Sequence, residues 1–128
     1  MKRISLILSL VLCVIALSSC TTIIPEIEEM HRNLEDEDYI VTPITNLTED
    51  DIYRLFNVRS RSDAKYFEAI ARNDDRVVVF EFGDTYPASS FIDDARDELE
   101  GSFAVFARQG SRVILATSKG AYEDAIDD

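Results

Sequence analysis

Between residues 39 and 117 the apolar positions form five short stretches of β character, and helix-spaced apolar stripes fall between or after them. Residues 39–44 are β-rich and end near Pro43. Thr48, followed by Glu49, Asp50 and Asp51, opens a helix, because acids favour the positive end of a helix dipole. Ile52, Leu55 and Phe56 supply its apolar stripe, and it stops near Asn57. Residues 64–71 and 77–82 read as a hairpin across the turn composition Asn73-Asp74-Asp75. Thr85, Tyr86 and Pro87 begin a second helix that puts Phe91, Ala95 and Leu99 on one face, with Gly101 as the stop. A second hairpin joins residues 103–107 to 112–117 across Gln109-Gly110-Ser111, and Ser118 caps a last helix with Tyr122 and Ile126 inward.

The order β-α-β-β-α-β-β-α predicts an α+β fold, an antiparallel sheet with helices. It resembles the split β-α-β arrangement of ferredoxin-like folds with an extra strand. That pattern covers one sheet face with helices, yet Val77, Val78, Val79 and Phe80 are apolar on both faces of their strand. Something must cover the second face. The candidates are residues 21–38 folding back, the last helix, a second copy of the chain, or a protein partner. The aromatics Phe67, Phe80, Phe91, Phe103 and Phe106 are expected in the core rather than on a stacking platform.

Ahead of this domain, residues 21–38 hold seven acids and a single proline, Pro25. An acidic spacer of that length reaches about 60 Å when extended and roughly 23 Å as a flexible coil. Ile27, Met30 and Leu34 also fall at helical spacing after Pro25, so a short helix docked on the domain is the alternative. His31, the sole histidine, lies here without companion ligands and reads as a solvated surface residue rather than a metal site.

The first twenty residues have a different character. Lys2 and Arg3 precede an almost wholly apolar run over residues 4–17, too short to span a bilayer and followed directly by small residues. The run ends in Leu17-Ser18-Ser19-Cys20. This segment resembles bacterial lipoprotein precursors, whose lipobox sets Leu three positions, and small residues one and two positions, before a Cys. The resemblance implies that residues 1–19 are cleaved, that Cys20 carries a diacylglyceryl group, and that lipid is the membrane partner. Thr21 in the next position would permit sorting to an outer membrane, facing the periplasm or the cell surface, where the cell has two membranes. The implied organisation is a signal peptide over 1–19, a lipidated Cys20 with an acidic tether over 20–38, and a domain over 39–128.

Composition narrows the function classes. The chain has 13 basic and 25 acidic residues and a formal net charge of -12. Losing Lys2 and Arg3 leaves 11 basic residues and a net charge of -14. So acidic a chain lacks the electrostatic footprint of a nucleic-acid binder and is repelled by anionic lipid. On the processing that the resemblance implies, Cys13 is removed with the cleaved segment and Cys20 is taken by lipid, which would leave no disulfide to brace the domain.

No nucleophile motif, zinc motif, phosphate loop or EF-hand spacing occurs, so neither catalytic residues nor a cofactor is assigned. Six basic residues, Arg54, Arg59, Arg61, Lys65, Arg72 and Arg76, nevertheless crowd into 23 positions, and Arg108 and Arg112 flank the other hairpin turn. These arginines either converge on an anion or neutralise neighbouring acids such as Asp63, Glu68 and Asp74. The sequence thus predicts an anchored envelope accessory module working through noncovalent contact with an envelope protein or a second copy. A small-anion binder or enzyme built on residues 54–76 is the alternative.

Overall fold

A computed structural model describes residues 23–127. Four helices and six strands follow in the order α1 (Ile27–Asp36), β1 (Ile40–Val41), β2 (Thr45–Leu47), α2 (Glu49–Phe56), β3 (Ala64–Ile70), β4 (Arg76–Phe82), α3 (Thr85–Glu98), β5 (Val105–Gln109), β6 (Arg112–Ala116) and α4 (Lys119–Ile126). The strands form one antiparallel sheet in the order β1-β3-β4-β6-β5, with β2 also paired to β3. The fold is therefore α+β.

Only one connection is a split crossover. Strand β5 returns through α3 to lie parallel to β4 with β6 between them, whereas α2 joins β2 and β3, which are antiparallel neighbours. The larger departure from the ferredoxin-like pattern is that helices cover both faces of the sheet. On one face, Ile52 and Phe56 of α2 and Ala88, Phe91, Ile92 and Ala95 of α3 pack against Val78, Phe80, Val113 and Leu115. On the other, Ile27, Met30 and Leu34 of α1 and Ala121 and Ala125 of α4 pack against Phe67, Val77, Val79 and Ile114. Alternation along β4 thus feeds two separate cores, and all of Val77 to Phe80 is fully buried.

The acidic segment is consequently not a spacer over most of its length. Its acids occupy the outward face of α1 while Ile24, Ile27, Met30 and Leu34 are buried. Asn33, buried at the same seam, donates from Nδ2 to the Ala125 carbonyl at 2.9 Å and ties α1 to α4. The helix starts at Ile27 with Glu26 as its N-cap, directly after Pro25. At its far end Tyr39 is buried, and its hydroxyl donates to Asp124 at 2.8 Å.

Other expectations need local correction. Of the β-rich stretch 39–44 only Ile40 and Val41 form a strand, β1: Pro43 has no N–H for the ladder, Thr42 holds the chain on β3 through reciprocal bonds with Glu68, and pairing resumes beyond the stretch in β2. Leu55 is not in the α2 stripe and stands 56% exposed. In α4 the fully buried positions are Ala121 and Ala125, with Tyr122 and Ile126 partly buried beside them. Phe106 is likewise only partly buried, while Phe67, Phe80, Phe91 and Phe103 are in the core.

Caps fall where the sequence places them. Thr48 and Asp51 form a reciprocal capping box on α2, and Ser118 accepts from the Ala121 N–H. The Thr48 N–H, then Arg54, hold the Asp51 carboxyl below its usual range. Helix α3 ends differently from expectation: Ser102 and Phe103 bond back to the Leu99 carbonyl, and Gly101 does not take the left-handed conformation. Gly110 does, with φ 61°, which the two-residue turn between β5 and β6 requires.

Burial also predicts an alkaline limit to stability. Burial first, then the hydrogen bond to Glu68, pushes the Tyr66 phenol from 10.0 up to about 12, and burial followed by Asp124 raises Tyr39 further. A raised phenol pKa means that the folded chain holds its proton where the unfolded chain has lost it. This stabilisation is complete below pH 10 and is lost as pH climbs towards 12 and beyond. Denaturant titrations across that window should show stability falling with pH, and Tyr66→Phe should flatten the fall; an unchanged slope in the variant would contradict this assignment.

Candidate functional site

The arginines singled out by the sequence do not converge. Arg54 pairs with Asp51 on the exposed flank of α2. Arg76 pairs with Glu68 across β3 and β4, with its guanidinium 5.3 Å from the Phe103 ring centroid. Arg72 is exposed beside the β3–β4 turn, in a cleft of about 670 Å³ also lined by Glu37, Asp38, Asp75, Glu123 and Asp124. At the opposite end of the sheet, Arg108 is exposed and donates to the Gly110 carbonyl. Arg112 lies 3.8 Å from Glu81 and donates to the Ile24 carbonyl. Three of the seven therefore have carboxylate partners, and the set is spread over both ends of the sheet and over the α2–α3 surface.

Arg59 and Arg61 are the pair brought together. The loop after α2, which starts at the left-handed residue Asn57, carries both to the seam between α2 and α3. They share a groove of about 360 Å³ with Glu49, Ser60, Ser90 and Asp94. A neighbouring groove of about 310 Å³ is lined by Tyr53, Asn57, Arg59, Asp94, Asp97 and Glu98. The Arg59 guanidinium lies 5.3 Å from the Tyr53 ring centroid, and that of Arg61 lies 5.7 Å from the Tyr86 centroid. Arg61 also donates to the Ser90 hydroxyl at 3.1 Å.

Both tyrosines are open to solvent, Tyr53 at 47% and Tyr86 at 65%. The seam is thus a strip of two exposed rings, each with an arginine over it, and carboxylates between. Exposed tyrosine and arginine are the residue types that carry binding energy at protein interfaces, because each offers a large flat contact area and polar edges. Acids in the same grooves make it a poorer match for a small free anion. Sequence reading found the arginines but passed over the tyrosines. Tyr53 lies off the apolar stripe of α2, and an aromatic on a polar flank was the available signal.

His31 is less solvated than expected. Its side chain is 20% exposed, stands edge-on to Phe67 at 5.0 Å, and donates from Nε2 to the Thr42 carbonyl at 2.9 Å. These contacts make it a brace between α1 and the segment after β1. Among the described residues, no group of three or more His, Cys, Asp or Glu side chains is arranged to hold a metal ion, and no helix is long and apolar enough to cross a membrane. Cys20 and the whole lipobox lie outside the described residues. No family model, curated protein or solved structure matches the chain.

Proposed function

We propose that this protein is a membrane-anchored bacterial envelope lipoprotein, fixed through Cys20, that presents the α2–α3 seam to a protein partner. The anchor follows from the Leu17-Ser18-Ser19-Cys20 resemblance at the end of a charged start and an apolar run. The observation that carries the interaction reading is the pairing of Arg59 with exposed Tyr53 and of Arg61 with exposed Tyr86.

Coverage of the sheet sharpens the argument. Helices of this chain occupy both sheet faces, so a partner is not needed to complete either core. A binding surface must then lie on the exterior, and this seam has the composition of one. Stacking orders the arginines before binding, which lowers the entropy lost when a partner engages them.

Photo-crosslinking in intact cells tests the seam. A photoreactive residue at Tyr53 or Tyr86 of the full-length chain should give a discrete protein adduct, and one at exposed Glu28 on α1 should not. The adduct from the Tyr86 position should disappear on Arg59→Ala/Arg61→Ala substitution. Equal yields at all three positions would remove the seam from the account.

A further inference from the structure

We propose that the corner of the domain at the β5–β6 turn is the face turned to the bilayer, with phospholipid headgroups as its partner. The inference rests on the lipidation of Cys20 and adds to it a fixed orientation.

Its basis is how soon the chain becomes part of the fold. Ile24 is 2% exposed. Its N–H donates to Gln109 Oε1 at 2.6 Å, and its carbonyl accepts from Arg112 Nη1 at 3.1 Å. Both partners flank the Gly110-Ser111 turn, where Gln109 and Arg112 face each other across the hairpin. Residue 24 is thereby clamped to the end of the β5–β6 hairpin. Only Thr21, Thr22 and Ile23 separate it from Cys20, and four Cα steps span at most about 14 Å. The lipid-bearing residue can consequently be no more than about 14 Å from this corner, roughly twice the depth of one headgroup layer. An acidic spacer reaching tens of ångströms is excluded, because its length is taken up by the docking of α1.

The corner suits that neighbour. Ile23 is 74% exposed and available to the apolar side of the interface. Arg108 is exposed two residues before the glycine of the turn. Guanidinium groups recognise phosphate oxygens with paired hydrogen bonds. Arg112 itself is taken up by Glu81 and the Ile24 carbonyl, and the acids of the adjoining cleft, Asp63 and Glu81, are accompanied there by Lys65. The opposite end of the sheet carries the cleft lined by Glu37, Asp38, Asp75, Glu123 and Asp124, which an anionic leaflet repels. Chain length and charge therefore turn the molecule the same way.

Energy transfer on the full-length lipidated protein in vesicles tests this. The vesicles contain phosphatidylethanolamine and phosphatidylglycerol with a headgroup-labelled acceptor, and a donor dye is placed through Ser111→Cys at the corner or Arg72→Cys at the far end. The Ser111→Cys donor should sit nearer the lipid surface by roughly 20 Å, the rise of the strands between the two turns. Equal distances, or a nearer Arg72→Cys donor, on protein that does float with the vesicles would overturn the orientation alone. Protein that does not float, with Cys20 itself taking up dye, would overturn the anchor and the orientation with it.

Discussion

A chain that starts at Asp38 should not fold. Removal of α1 uncovers Phe67, Val77, Val79 and Ile114, which with Ile27, Met30 and Leu34 make up much of the second core. Each large apolar side chain taken from water contributes about 1.5–3 kcal/mol. Small domains retain only about 5–15 kcal/mol in total, so the loss of Ile24, Ile27, Met30 and Leu34 together removes most of that margin. The truncated chain should show no cooperative thermal transition and should aggregate through the uncovered sheet face. A single Leu34→Ala substitution in the intact chain, at a fully buried site, should cost about 2–5 kcal/mol. Leu34→Asp should leave no folded protein, since it buries an unpaired charge. If the truncated chain melted cooperatively within a few degrees of the parent, the two-core description would be wrong.

The second large effect concerns the anchor. Cys20→Ala should move the protein from the membrane fraction to the soluble fraction while leaving its melting temperature unchanged, because among the described residues the buried side chains begin at Ile24. Two or more acyl chains hold a protein stably in a bilayer at about 0.8 kcal/mol per buried methylene, and the acidic domain supplies no compensating attraction of its own size. Membrane partition should thus fall to background rather than weaken by degrees. A variant that still sediments with membranes at the parent level would show that something other than lipid holds it there.

The two predictions bear on different parts of the sequence, and those parts were not equally readable. The hairpins over residues 64–82 and 105–116, both major helices and the caps at Thr48 and Ser118 follow from local chemistry: turn residues, acids at helix starts and apolar spacing. The role of α1 was half legible. Its stripe of Ile27, Met30 and Leu34 was visible, but the choice between spacer and docked helix depended on which surface would receive it. The apolar character of Val77 to Phe80 on both faces was the matching half of that question: it named residues 21–38 and the last helix among four possible covers, and α1 and α4 together are the cover. Pairing beyond the two hairpins was not legible, since those strand neighbours are set by long-range packing that no local pattern encodes.

The candidate seam shows the same boundary. Arginine crowding over residues 54–76 is a count along the chain, and in space the side chains divide among several neighbourhoods. What singles out Arg59 and Arg61 is the ring beneath each, and Tyr86 is 25 residues from Arg61 in sequence. An exposed tyrosine was a signal available beforehand; its partner was not.

Everything assigned to the membrane rests on a covalent bond at one sulfur. Intact-mass analysis of the native protein measures that bond directly. The account predicts a mature chain beginning at Cys20, heavier than its peptide mass by a diacylglyceryl group and, where the amino group is also acylated, by one further acyl chain. A native protein that retained residues 1–19, or that began at Cys20 with an unmodified thiol, would contradict it.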